Sequence, residues 1–460
     1  MERCGSSQGI CYLVVNRSYG YSYRMKKAVL LVLLAASLLM NVYTQTAQEL
    51  AELWDKEHVT NKFPSNVRHR DLQNYLEGLK KLGLKVEEVG RSYANREIYQ
   101  VEWGKGGKRV FLWSQMHGDE PTATSALIDM FTVLQKNRDK DWVKKIEGEM
   151  TIRAVPMLNP DGAELYVRRN LQGIDINRDA QALVTPEARL LKKLRDDWQP
   201  ELGFNLHNQN ELTTAGLGNR QAVISFLVVY GDAPKTESDG HLRNKRIVTL
   251  MSDALRQFLA GHLSRYADGY TSTAFGDNFS AWGTPVILIE TGALHGKDEM
   301  FLVRMNFVAF LTALRSYADG SDNTADPARY FELPNNASGS LFNFIFRGAS
   351  IVNRSDTAIT VADLALNLER RRAEFPTPAK IRQVSDLAAC YGLDEYDASG
   401  FFVTGRVEPI KAGNMGELLF YKKDRKVDWT APDLEKQYEP DAILSFGKWI
   451  KGAGVVPKKT

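Results

Sequence analysis

The chain has 460 residues, 43% of them apolar and 25% charged, with a formal net charge of +3. This composition excludes a wholly disordered chain, and the near balance of charge excludes a nucleic-acid footprint, so short basic runs such as Arg370-Arg371-Arg372 read as solvated faces. The length predicts two domains; with Cys4 and Cys11 near the N-terminus and only Cys390 in the body, the processed chain can build neither a thiolate metal site nor a disulfide framework.

In chain order, Met25-Lys26-Lys27 precedes an almost wholly apolar run over 28–40, which gives way to small and polar residues over 41–47. A charged start, a short apolar stretch and a polar exit are the pattern of a secretory signal, too short for a permanent span. Residues 1–47 are therefore expected to be an N-terminal extension and signal peptide. The mature protein is expected to be exported, periplasmic or extracellular, without a stable membrane span.

Residues 48–83 carry Leu50, Leu53, Trp54, Leu72, Tyr75, Leu76 and Leu79 at helical spacing, and 84–89 and 98–103 alternate like strands. The Gly104-Lys105-Gly106-Gly107-Lys108 segment lacks the spacing of a phosphate loop and predicts a hairpin turn. A buried strand is predicted over 110–116, and Pro121 suits the first turn of a helix through Leu127, Met130 and Leu134. His117 and Glu120 thus fall where a strand hands over to a helix. A neutral imidazole and a carboxylate held that close can bind one zinc, which stays catalytic if a coordination position is left for water.

A strand over 150–157 ends in the turn Asn159-Pro160-Asp161-Gly162. The loop from Arg168 to Asp179 follows, rich in arginine and asparagine. Its donors suit a carboxylate or a polarised carbonyl, although its arginines could instead pair with Asp175 and Asp179. After a helix over 186–198, the strand 202–206 runs into His207. Like His117 it stands at the carboxyl end of an apolar strand, where open α/β sheets place their ligands, and it supplies the third metal ligand. A strand over 223–230, a helix over 244–259 and a strand over 284–290 follow. The last finishes in Glu290, a carboxylate that is costly to bury unless it lies beside a cation or acts as a base.

Taken together, His117-x-x-Glu120, Asn159-Pro-Asp-Gly, Arg168, Gly173-x-Asp-x-Asn177-Arg178, His207 and Glu290-Thr-Gly resemble, over roughly residues 60–318, the zinc metallocarboxypeptidases of the carboxypeptidase A and B type, particularly their bacterial exported relatives. The resemblance implies one zinc per chain on His117, Glu120 and His207, with Glu290 as general base. Arg168, with Arg169 as its competitor, would polarise the scissile carbonyl, while Asn177 and Arg178 would grip the terminal carboxylate of a peptide substrate. The family's mobile tyrosine is matched by Tyr270 as a substrate-binding candidate, with Tyr266 as the alternative. Asn205 stands where many members have an aspartate.

The expected architecture is α/β: a mixed twisted sheet with helices on both faces over 48–320, followed by a smaller β-rich accessory domain over 321–460. A linker-like run over 321–327 opens this second part, strand candidates follow at 341–346, 359–366 and 401–407, and it contains no histidine. The leading expectation is an exported zinc carboxypeptidase. A zinc amidase or deacylase acting on cell-wall peptides or N-acyl amino acids, and a non-catalytic peptide-binding relative, are the alternatives.

Overall fold

The computed structural model describes residues 47–267 and 269–459; the expected signal segment lies outside the described residues, apart from residue 47. The first domain is built on an eight-stranded mixed sheet. Its strands are β1 (Lys85–Arg91), β2 (Glu97–Gly104), β3 (Lys108–Ser114), β4 (Met150–Val155), β5 (Leu202–Asn208), β7 (Ile224–Val229), β8 (Leu263–Arg265) and β9 (Val286–Thr291), in spatial order β1-β2-β4-β3-β5-β9-β7-β8. The short β6 (Thr214–Ala215) pairs outside it with β10 (Asn336–Ala337). β3, β5 and β9 are adjacent and parallel.

Helices cover both faces, so the central strands are apolar throughout rather than alternating. In β3, Val110 and Leu112 join the core beneath α2 (His69–Lys81), α3 (Thr122–Lys136), α4 (Asp141–Glu149), α7 (Asp239–Leu259) and α9 (Glu299–Asp319). Phe111 and Trp113 point the other way, into a second core under α6 (Pro186–Trp198) and α8 (Phe275–Ala281). One further helix, α5 (Pro160–Leu165), belongs to the loop side of the site, and α1 spans residues 47–57.

Three local expectations are corrected. The helical reading of 48–83 breaks between α1 and α2. There Val59 N, Thr60 N and Thr60 Oγ1 all donate to the fully buried Asp129 of α3 at 2.7–3.0 Å, a polar anchor that competes with helix continuation. Residues 104–108 are not a hairpin, because β4 lies between β2 and β3. The glycines are there for closeness: a Cβ on Gly106 would sit 1.9 Å from the backbone carbon of Glu149. Finally, 321–327 is no free linker. Two 3-10 turns, Ser321–Thr324 and Pro327–Glu332, pack the chain back onto the first domain, whose core takes in Tyr330 and Leu333, so the change of domain falls near β10 rather than at 321.

The C-terminal part is β-rich: β11 (Leu341–Val352), β12 (Ile359–Leu368), β13 (Ala379–Ser385), β14 (Tyr391–Asp397), β15 (Phe401–Gly405), β16 (Leu418–Lys422), β17 (Ala442–Ser445) and β18 (Lys448–Lys451) form one sheet around their own apolar core. The long β11 pairs along one side with β12 and along the other with β14 and then β15, both parallel to it. Of the arginine run after β12, Arg370 and Arg371 are exposed but Arg372 is not part of a solvated face. Arg372 is only 5% exposed, and its guanidinium donates to the carbonyls of Ser65 (2.7 Å), Ala163 (2.5 Å) and Glu164 (3.0 Å). Ala373 N and Glu374 N add bonds to Ser65 Oγ and Asn66 Oδ1, so residues 372–374 strap the second domain to the first. Among the described residues, no helix is long and apolar enough to cross a membrane.

Candidate active site

The site lies at the carboxyl ends of β3, β5 and β9. After β3 the backbone turns through Gln115 in a left-handed conformation (φ 51°) and delivers His117 and Glu120 just before α3. This turn needs a glycine. A Cβ on Gly118 would lie 1.9 Å from the backbone carbon of Gly162 in α5, so the loop can dock there only without a side chain. His207 is the penultimate residue of β5 and is paired in register with Glu290 of β9, which places both on neighbouring strand ends.

His117, Glu120 and His207 are buried and converge. His117 Nδ1 lies 2.8 Å from Glu120 Oε1, His207 Nδ1 lies 2.6 Å from Glu120 Oε2, and the two ring nitrogens are 3.1 Å apart. Tetrahedral zinc with nitrogen ligands at about 2.0–2.1 Å spaces them by roughly 3.3 Å, so the donor set fits that ion in both chemistry and spacing. The tautomers fit as well. His117 Nε2 lies 3.0 Å from Asp175 Oδ1, an acceptor, and must carry the proton, which leaves the Nδ1 lone pair for a metal. Asp175 is a functional residue that the sequence reading passed over as an ion-pair partner for the loop arginines. Its place inside the Gly-x-Asp-x-Asn-Arg motif was the available signal.

The electrostatics describe a site built around a cation. Burial alone would raise the Glu120 carboxyl, but the two histidines hold it well below the usual carboxylate range. Burial would lower His117, yet Glu120 and Asp175 push it up to about 9. Glu290 is held well above the ordinary range, first by burial and then by the charge of Glu120.

A cavity of about 730 Å³ opens over these groups and brings together Glu290, Arg168, Asn177 and Arg178 with the three ligand candidates. Arg168 is tied between Glu120 Oε1 (3.2 Å) and Asp175 Oδ2 (3.0 Å), whereas Arg169 turns away to the carbonyl of Gly173 at 3.0 Å, outside the cavity wall. Asn177 accepts from Phe275 N at 2.9 Å through Oδ1, a bond that fixes its carboxamide and leaves Nδ2 for a ligand. Arg178 is exposed to the cavity, its Nη1 resting on the carbonyl of Asn177 at 2.7 Å. The tyrosine assignment changes. Tyr270 is 41% exposed and stands outside the cavity wall, while Tyr266 lines it, its hydroxyl pushed up to about 12 by burial and then by Glu290. Asn205 also lines the cavity, buried, with its Oδ1 unbonded. Segments 336–342 and Asn367 of the second domain close the cavity from above, a contribution with no sequence signal.

Residues 72–274 match the family model Peptidase_M14, zinc carboxypeptidase. This part of the chain is similar to zinc carboxypeptidase domains. The carboxypeptidase 2 of Trichophyton rubrum is 30% identical over 130 residues, which cover 27% of this chain and 24% of the relative. The probable carboxypeptidase 2 of Arthroderma benhamiae is 29% identical over 99 residues, covering 22% of this chain and 18% of the relative. The chain therefore spans about a quarter or less of these curated carboxypeptidases. Among solved structures, a metallo-carboxypeptidase from Burkholderia cenocepacia aligns with a TM-score of 0.45 at 16% identity, over 55% of this chain and 69% of that one. Zinc is the ion of the matched family, and the His117-Glu120-His207 cluster is a place that could hold it.

Proposed function

We propose that this protein is a metallocarboxypeptidase that removes the C-terminal residue of peptides carrying a free carboxylate. The observation that carries the reading is the presence, in one cavity, of a three-ligand metal cluster, the buried Glu290 and the hydrogen-bond donors of Asn177 and Arg178. His117, Glu120 and His207 would hold a zinc ion, which would supply a Lewis acid that lowers the proton affinity of water and of neighbouring carboxyl groups. Glu290 takes the proton of the water that adds to the scissile carbonyl carbon, then returns it to the leaving amine as the C–N bond breaks. Arg168 donates to the carbonyl oxygen as negative charge develops there. Asn177 Nδ2 and the Arg178 guanidinium hold the terminal carboxylate and so set which bond is cut.

The test compares matched peptides with free and amidated C-termini. Wild type should strongly prefer the free form, and Arg178→Ala should lower kcat/KM for it by roughly ten- to a hundred-fold while barely changing the amidated one. Equal cleavage of both by wild type would move the assignment to an amidase. We further propose that the protein acts outside the cytoplasm, on the strength of Lys26-Lys27 and the apolar run that follows. N-terminal sequencing of secreted protein should find a start between about residues 41 and 48, and an intact Met25 would refute it.

A further inference from the structure

A second cavity of about 550 Å³ shares Glu120 and Arg168 with the first but contains neither Asn177 nor Arg178, so it lies on the acyl side of the scissile bond. One wall belongs to the second domain: Asn343, Asn367, Arg370 and Arg382. The free hydrogen-bonding capacity of this wall is mainly that of donors. Asn343 Oδ1 already accepts from Leu368 N (2.8 Å) and Asn367 Oδ1 from Asn343 N (3.2 Å), which leaves both Nδ2 groups as donors. Arg370 and Arg382 are exposed to the cleft, and neither forms an ion pair among the described residues. The carboxylate nearest to them in sequence, Glu369, is neutralised by Lys380 at 2.6 Å. Across the cleft, Asn210 of the first domain is arranged in the same way, its Oδ1 taken by Leu212 N at 2.8 Å. Asp119 and Glu211 also border this space; with Tyr166, whose ring lies 6.0 Å from the Arg370 guanidinium, they favour its charged form without forming an ion pair with it. On the second domain's wall, two guanidiniums outside any ion pair and two amide groups turning their Nδ2 donors outward, joined by Asn210 across the cleft, suit a ligand that brings acceptors.

Building on the carboxypeptidase reading, we propose that the second domain forms an acyl-side subsite that selects substrates with an acidic group next to the residue released, with Arg370 and Arg382 as its specificity-determining residues. The second domain is then a working wall of the active site, and the strap at 372–374, close after Arg370 in the chain, fixes that wall in position.

The test uses N-acetyl dipeptides that share one well-cleaved C-terminal residue and carry glutamate, glutamine or leucine before it. In wild type, kcat/KM for the glutamyl substrate should exceed the other two by at least about ten-fold at low salt. Arg370→Ala and Arg382→Ala should each remove most of that preference through KM, with kcat for the leucyl substrate unchanged, and Arg370→Lys should restore part of it. Arg382 stands away from the strap, so its variant separates recognition from domain docking. Equal rates on all three substrates in wild type, or a preference that survives both alanine variants, would overturn the subsite while leaving the carboxypeptidase reading intact. Turnover of none of them would overturn both.

Discussion

Glu290 ends a strand of aliphatic residues and faces the cavity beside Glu120, so it is a proton acceptor only while a neighbouring cation favours its ionised form. Glu290→Gln keeps shape and volume but not basicity. Zinc content should stay at one per chain while kcat falls on the order of 10²-fold or more, and near-normal turnover in a zinc-replete variant would remove Glu290 from the chemistry. His207→Ala should instead lose the metal itself, read by elemental analysis of the purified protein. At this scale the sequence was informative where position encoded chemistry: His117, His207 and Glu290 each follow an apolar strand, and that pattern is local. It was silent where geometry alone decides. Tyr266 and Tyr270 are four residues apart in one irregular segment, and nothing in their spacing says which ring turns inward. Arg168 and Arg169 are neighbours too, and only the position of Asp175 sends the first to the site and the second to a loop carbonyl.

Among the elements, β11 shows how a half-buried charge can hold parallel pairing together. Arg347 donates to both carboxylate oxygens of Glu395 on β14 at 2.9 Å and also to the carbonyls of Leu387 and Cys390. Burial would raise the Glu395 carboxyl, but the bonds from Arg347 hold it below its ordinary value of 4.5. A carboxyl depressed by folding stabilises the protein above its unfolded value, and that contribution disappears as pH falls through the folded one. Arg347→Met should therefore lower the melting temperature most near neutral pH, by the equivalent of about 2–3 kcal/mol, with the gap to wild type narrowing below about pH 4. A gap independent of pH would mean that the ion pair contributes nothing beyond packing. Strand existence in this region could be read from the sequence, whereas partnership could not. The parallel match of β11 to β14, like the placing of β4 between β2 and β3, depends on contacts far apart in the chain.

For the whole molecule, buried polar contacts tie the two domains together, and Arg372 is the one that donates to three backbone carbonyls of the first domain. Arg372→Met should destabilise the assembly by about 2–4 kcal/mol and should let the β-rich domain unfold before the first in calorimetry. A single transition at the wild-type temperature would show that docking rests elsewhere. A charge run in the sequence looked like solvent-facing surface because composition does not reveal which surface another domain will cover. The strand order carries a different consequence, for the growing chain. β9 sits between β5 and β7 yet is made after both, so a nascent chain that has reached residue 285 exposes two bare, largely apolar strand edges with a gap of one strand between them. Such edges recruit other chains readily, and ribosomes working on this message make the first domain vulnerable to aggregation until Val286–Thr291 emerges and fills the gap. His117 and His207 stand at the ends of strands that already pair with each other, and Glu290 joins them only at that moment, so the cluster of ligand candidates can assemble before the cavity acquires its last carboxylate.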